Sequence, residues 1–314
     1  MKKILVTGGS GFLGSRVCLY YTQMRKKDME ILAPSHKEMD ITQAAQVKEY
    51  LLEHKPDAVF HCGGISDTEY VRTHPKESAV INVEGTYNLA LLTGSMGIPL
   101  IFTSSDYVYQ GKTIAGESYD RTVDAFREED AETEHEYGRQ KLEAERVCFA
   151  YNPLSKALRL TWMYDLPKDS LAAFDGKKPD LAGMLLPLKQ NLLTNLLKAR
   201  KEKQPISFAC HEYRGVTNVW DVVKNLEKAL QLPTGSYNFG CTNFLPTIQV
   251  ARKAAKWLGV SEELVLEDEK RYADRPRNIS MSIEKLKNYG IDFGSTLEGL
   301  EGFFSDWTLP MLLE

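Results

Sequence analysis

The run Ile4-Leu5-Val6 empties directly into Thr7-Gly8-Gly9-Ser10-Gly11-Phe12-Leu13-Gly14, and this junction constrains the fold more than any other stretch of the chain. A strand that ends in a glycine-studded turn and continues as a helix brings unpaired backbone N–H groups to one point, where they favour an anion. Gly8 supplies the backbone angles of a tight turn, Gly11 lets the main chain approach a phosphate without a Cβ in the way, and Gly14 lets the helix lie close to its strand. The pattern points to a dinucleotide pyrophosphate seated on Gly8, Gly11, Phe12, Leu13 and Gly14, at the start of a helix expected from about Phe12 to Arg25. Glycine spacing alone fits many turns by chance. The flanking strand and helix patterns separate this one from a plain glycine-rich turn.

Downstream, β-rich runs alternate with amphipathic helical stretches: Lys3 to Val6, Glu30 to Ala33, Ala58 to His61, Leu100 to Thr103 and Ala157 to Leu160. That rhythm predicts an α/β chain with a Rossmann-type doubly wound parallel sheet. It breaks after Tyr164. The segment Asp165 to Asp180 is rich in Pro, Gly, Lys and Asp, which fits either a lid or a surface excursion, and a helix is expected over Leu188 to Lys203. Pro205 to Cys210 and Gly235 to Gly240 read as further strands, and the chain from Leu245 onward reads as mainly helical. The expected organisation is a dinucleotide-binding domain over 1–164 with a returning segment near 205–232, and a smaller, mostly helical substrate-binding lobe from 165–204 and 233–314.

Bulk properties narrow the function. The 314 residues carry 39 basic and 43 acidic side chains, a net charge of -4, with no long basic run. Neither nucleic acid nor an anionic membrane is the expected partner, and a small molecule is. No stretch approaches the ~20 apolar residues of a membrane span, and MKKILV leaves no room for a signal peptide, so a cytoplasmic location is expected. The five cysteines show no CxxC spacing and the six histidines no HExxH pair, so reduced thiols and no metal are expected.

Tyr137-Gly138-Arg139-Gln140-Lys141 places a phenol and an ammonium on one helix face, one turn apart. Such a pair is either a solvated face or an acid/base device in which the cation brings the phenol toward the working range. Together with the glycine loop, these residues resemble the extended short-chain dehydrogenase/reductase family. Its TGxxGxxG falls on Thr7 to Gly14, its YxxxK on Tyr137 to Lys141, its catalytic Ser/Thr on Ser105 and its asparagine on Asn82. The resemblance implies that Ser105 hydrogen-bonds the substrate oxygen, Tyr137 moves its proton, and Lys141 lowers the tyrosine pKa and holds the nicotinamide ribose. It also puts Ser104, the small-residue stretch Cys62-Gly63-Gly64 and the pair Asp40-Ile41 against the cofactor.

Within that family, Ser104 to Tyr109, Tyr137 to Glu145, Arg159 to Tyr164 with Trp162, and Arg275-Pro276-Arg277-Asn278 resemble the dTDP-4-dehydrorhamnose reductase subgroup. The implied activity is NAD(P)-dependent reduction of a 4-keto nucleotide sugar. Tyr107 stands where dehydratases of the family carry the glutamate of an Asp-Glu pair, which disfavours dehydration. Asn82 and Trp162 are implied substrate contacts. Arg214 and Arg271 match the arginines that grip the sugar-nucleotide pyrophosphate, although each also suits a surface ion pair. The subgroup's DQxGxPT segment is replaced here by Cys210 to Thr217. Cofactor choice is read at the end of the second strand, at Ala33-Pro34-Ser35-His36-Lys37. With no carboxylate there, and with Ser35 and His36 beside Lys37, NADP is favoured over NAD.

Two other readings share these motifs: an epimerase with tightly held NAD, and a non-catalytic cofactor-binding subunit resembling the β subunit of methionine adenosyltransferase. Trp307 to Leu313 fits a partner site or a docked tail. Family members commonly pair through helices flanking the sheet, which makes a homodimer the candidate assembly.

Overall fold

The computed structural model describes residues 1–25, 27–111, 125–166, 186–187 and 189–306. The expectations for Asp165 to Asp180 beyond Leu166, and for Trp307 to Leu313, lie outside the described residues. Five parallel strands, β1 (Lys2–Thr7), β2 (Met29–Leu32), β3 (Ala58–His61), β4 (Leu100–Ser105) and β5 (Lys156–Leu160), form the expected sheet. They are wrapped by α1 (Phe12–Met24), α2 (Ala44–His54), the short α3 (Thr68–Thr73) and α4 (Pro75–Ala79), α5 (Gly85–Ser95) and α6 (Glu136–Tyr151).

Strand alternation decides which face each side chain serves. Ile4, Val6, Phe60, Ile101 and Leu158 join one core with Val17 and Tyr21 of α1. Leu5, Val59, Leu100, Phe102 and Ala157 point the other way, onto Val47, Leu89 and Cys148 of α2, α5 and α6. Both faces are buried, which is why these runs are apolar throughout.

After β6 (Trp162–Tyr164), α7 (Leu192–Glu202) is followed by β7 (Ile206–Ala209), β8 (Glu212–Tyr213) and β9 (Val216–Asn218). The chain then makes α8 (Val219–Ala229) and β10 (Gly235–Phe239). β10 pairs with β5 and completes a sheet of order β10-β5-β4-β3-β1-β2. Within the returning segment read over 205–232, α8 packs against α1 in the core of the sheet, while β10 is its sixth strand and β7 lies outside it, paired with β11 (Val265–Asp268). Strand order reverses between β1 and β3, and in open parallel sheets ligands bind beyond the carboxyl ends at such a switch.

The remaining lobe holds α9 (Thr247–Trp257), β11, β12 (Arg277–Asn278), α10 (Glu284–Lys287) and α11 (Thr296–Asp306). It is less helical than its sequence suggests, because β11 and β12 are short and find their partners, β7 and β8, far away in the chain. Leu193, Leu196, Phe208, Ile248, Ala251, Val265 and Leu300 form its core. Among the described residues, no helix is long and apolar enough to cross a membrane.

One buried ion pair ties the lobe to the glycine-loop helix. Arg16 of α1 donates to Asp165 Oδ2 at 2.7 Å, and also to the carbonyls of Phe12 and Pro187, with both charged side chains almost fully enclosed. Burial lowers the pKa of Arg16, and Asp165 counters that effect. Asp165→Ala therefore leaves an uncompensated buried cation, and its unfolding free energy in urea is expected to fall by about 3 to 5 kcal/mol. The double replacement Arg16→Met, Asp165→Leu is expected to recover most of that loss.

Candidate functional site

A cleft of about 890 Å³ opens beyond the carboxyl ends of β1, β3 and β4, between the sheet and the lobe. The glycine loop forms one wall. Gly8 has a φ of +68°, and a Cβ there would stand 2.6 Å from the Gly63 nitrogen, so the loops after β1 and β3 touch through glycine backbone on both sides. A Cβ on Gly14 would collide with the Gly8 carbonyl oxygen, so the first turn of α1 lies directly on the glycine turn. Beneath the loop His61 is fully buried between Thr7 Oγ1 (2.7 Å) and Thr86 Oγ1 (3.0 Å). Burial, with the Lys141 charge nearby, pushes its pKa down to about 3, so this histidine is neutral. Gly11, Phe12, Leu13, Cys62, Gly63 and Gly64 all line the cleft, as expected.

Ser105 ends β4 in an extended conformation and caps the short turn Asp106–Tyr109, accepting from the Tyr107 amide at 3.3 Å. Its hydroxyl donates to Asp106 Oδ1 at 3.0 Å. Tyr137 sits in the first turn of α6, whose N-cap is His135: the Tyr137 amide donates to His135 Nδ1 at 3.2 Å. Burial and Arg277 lower the pKa of His135, which suits an imidazole that must accept. Ser105 and Tyr137 both line the cleft. One turn on, Lys141 Nζ donates to the Thr103 carbonyl at 2.8 Å and lies 5.6 Å from the Tyr137 ring centre.

The three side chains line one cleft, but the phenol is not tuned as the resemblance implies. Burial, then the charge of Asp106 and the neighbouring Tyr107, push the Tyr137 pKa well above its ordinary value, and the nearby Ser105 hydroxyl only partly offsets them. The Lys141 ammonium is directed to a backbone carbonyl, so Tyr137 is held as a neutral phenol rather than brought toward phenolate. Burial lowers Lys141 itself to about 8, with Glu145 opposing.

Other expected residues divide. Asn82 does not line the cleft: its amide accepts from the Ile65 N–H at 2.7 Å and donates to the Ile65 carbonyl and to Gln140 Oε1, tying the loop after β3 to α6. Its polar atoms are spent on this tie, so it positions the site from behind. Ser104 lines the cleft, yet its hydroxyl turns inward to Glu145 Oε1. Asp40 accepts from the amide and hydroxyl of Thr42, and Ile41 packs on Gly85, both in the segment that follows β2. Ser35 and His36 lie at the exit of β2, where Ala33 touches Gly9. Ala33 to Lys37 carry no carboxylate, as read; Glu38, the next residue, folds back, and its Oε2 accepts from the Ser35 amide at 2.7 Å.

Arg214 donates to Asp106 Oδ2 at 2.9 Å and lies over the rings of Trp162 and Tyr107 at 5.4 and 5.6 Å, deep in the cleft. Arg271 is exposed at the rim, its guanidinium 5.2 Å from the Tyr272 ring centre. The sequence reading assigned no role to Arg277, which the structure places beside them. It is buried, paired with Glu212, donates to Gln110 Oε1 at 2.8 Å, and lies 4.8 Å over Tyr107. Arg275-Pro276-Arg277-Asn278 is the only signal that pointed to it. Burial alone would raise the Tyr107 phenol, but Arg214 and Arg277 together lower it. The Nε atoms of Arg214 and Arg277 are buried without a hydrogen-bond partner.

Against this geometry, the family model described as RmlD substrate binding domain matches residues 1–306. The chain belongs to the RmlD family. It is 29% identical over 181 residues to methionine adenosyltransferase 2 subunit beta from Xenopus tropicalis, covering 55% of this chain and 50% of that protein. It is 30% identical over 177 residues to the probable low-salt glycan biosynthesis reductase Agl14 from Haloferax volcanii, covering 52% and 55%. The chain thus matches about half the length of these curated relatives. The fold extends further: the structure of dTDP-4-dehydrorhamnose reductase from Bacillus anthracis, in complex with NADP, superposes with a TM-score of 0.77 at 22% identity, covering 98% of this chain and 99% of that one. The doubly wound RmlD-type architecture expected from the motifs is therefore present.

The lowered Lys141 has a stability consequence for this RmlD-family chain. Between pH of about 8 and 10.5 the unfolded chain keeps a proton that the folded chain has lost, so the cost of burying the ammonium is full below 8 and relieved above it. Lys141→Met is expected to be more stable than wild type below pH 8, by on the order of 2 kcal/mol. That gap should narrow as pH rises toward 10 in paired denaturation curves.

Proposed function

We propose that this chain reduces the keto group of a 4-keto nucleotide sugar with a nicotinamide dinucleotide. The observation that carries the reading is that Ser105, Tyr137 and Lys141, one turn from Tyr137, line one cleft with Arg214 and Arg277. The glycine cradle at Gly8 and Gly14, where a Cβ has no room, fits a dinucleotide pyrophosphate. NADP is in the complex of the Bacillus anthracis reductase, which supports a dinucleotide of this class here. A bound dinucleotide would supply the hydride to the carbonyl carbon.

The residues supply the rest. Tyr137, held as a neutral phenol by burial and Asp106, gives its proton to the carbonyl oxygen. Ser105 turns its hydroxyl from Asp106 to the same oxygen, and the Lys141 ammonium holds the ribose. Arg214, Arg271 and Arg277 grip the pyrophosphate, the first two as the family resemblance implies and the third from its place in the cleft. A phenol kept protonated suits a donor, and so favours reduction over an epimerase that must first remove a proton.

The match to methionine adenosyltransferase 2 subunit beta supports a second reading, a cofactor-binding subunit without its own turnover. A screen of 4-keto nucleotide sugars for NADPH and NADH oxidation separates the two. Under the reductase reading, Tyr137→Phe lowers turnover by about 10²- to 10⁴-fold while dinucleotide affinity stays. Tight dinucleotide binding with no turnover on any sugar would overturn that reading in favour of the subunit.

A further inference from the structure

The two walls of the cleft touch through a lysine that the proposed reaction leaves unused. Lys189 stands on the lobe side and Ser66 on the loop after β3; both line the cleft, and the Lys189 ammonium donates to Ser66 Oγ at 2.7 Å. The backbone around this lysine is held in place. The Pro187 carbonyl accepts from Arg16 Nη1 at 3.2 Å, and the Lys189 carbonyl accepts from Asn191 Nδ2 at 3.2 Å. An anchored main chain thereby carries the ammonium to the loop whose Gly63 meets Gly8 of the glycine loop.

Its partner differs in kind from those of the arginines in the same cleft. Arg214 is met by the carboxylate of Asp106 and Arg277 by that of Glu212, whereas Lys189 is met by a neutral hydroxyl. The acid beside Ser66 is engaged elsewhere: Asp67 Oδ1 accepts from the amides of Glu69 and Tyr70 and caps α3. Burial lowers the Lys189 pKa, with the charges of Asp67 and Tyr107 opposing. An ammonium partly stripped of water and resting on one neutral acceptor has more to gain from an anion than a cation already paired. The side chain is also exposed enough for a ligand to reach it.

We propose that Lys189 is a phosphate-binding residue of the cleft, which leaves Ser66 when a ligand enters and pairs with a phosphate lying against the loop after β3. The proposal rests on the reading of the cleft as a nucleotide site. The phosphate belongs either to the dinucleotide or to the sugar nucleotide, and the two sources are separable by experiment. The competing role is a strap, in which the Lys189–Ser66 bond does no more than hold the walls together. A strap loses as much when Ser66 is removed as when Lys189 is. A phosphate-binding lysine does not, because removing Ser66 only frees the ammonium.

The test is isothermal titration calorimetry of the full chain with NADPH, NADH, dTDP and UDP at low and high salt, for wild type, Lys189→Gln, Lys189→Arg and Ser66→Ala. Lys189→Gln is expected to weaken binding by about tenfold at low salt and to flatten its salt dependence. Lys189→Arg should keep most of the affinity, and Ser66→Ala should bind at least as tightly as wild type. A loss confined to NADPH and NADH assigns the phosphate to the dinucleotide, a loss confined to dTDP and UDP assigns it to the sugar nucleotide, and a loss in both puts the ammonium between them. Equal losses in Lys189→Gln and Ser66→Ala, or none in Lys189→Gln, would overturn the role of Lys189 while leaving the nucleotide site standing. Failure of wild type to bind any of the four would overturn both.

Discussion

The Arg16–Asp165 ion pair holds the two halves of this molecule in register. Both side chains are almost fully removed from solvent, so separating them would strand charges in a medium that solvates them poorly. Asp165 does more than neutralise Arg16. Its other carboxylate oxygen accepts from the Trp220 indole at 3.2 Å, and its carbonyl accepts from Asn191, the residue that caps α7. One carboxylate thereby joins the glycine-loop helix, the start of α8 and the first helix of the lobe. The walls of the cleft take their relative position from it.

Within the cleft, the charged groups come with their own counterparts. Arg214 is held by Asp106, and Arg277 by Glu212, so each guanidinium is aimed before any ligand arrives. Asp106 serves two neighbours at once: one oxygen anchors Arg214, and the other takes the Ser105 hydroxyl. It also helps keep Tyr137 protonated. Arg214 and Ser105 therefore share a single buried carboxylate. The Nε atoms of both arginines are buried without a hydrogen-bond partner.

The strands of the sheet were legible because both their faces are buried. Ala58–His61 runs as read, and β1, β2, β4 and β5 differ from expectation only at their ends. β10, β11 and β12 were not legible as to place. A short apolar run carries no mark of its partner, and β10 pairs with β5 across the whole stretch from β6 to α8. The place of Arg277 escaped for a related reason: its partners, Glu212 and Tyr107, are distant in the chain.

Sequence by itself determined what depends on near neighbours: the glycine loop that only residues without a Cβ can form, and the Tyr137 and Lys141 pair set one helical turn apart. Tertiary structure alone decided their chemistry. The protonation of Tyr137 depends on its burial and on Asp106, and the ammonium of Lys141 is directed to the Thr103 carbonyl rather than to the phenol. Solvation and charge act through space, and no local spacing encodes the distance from Arg214 to Asp106 or the depth at which a phenol lies.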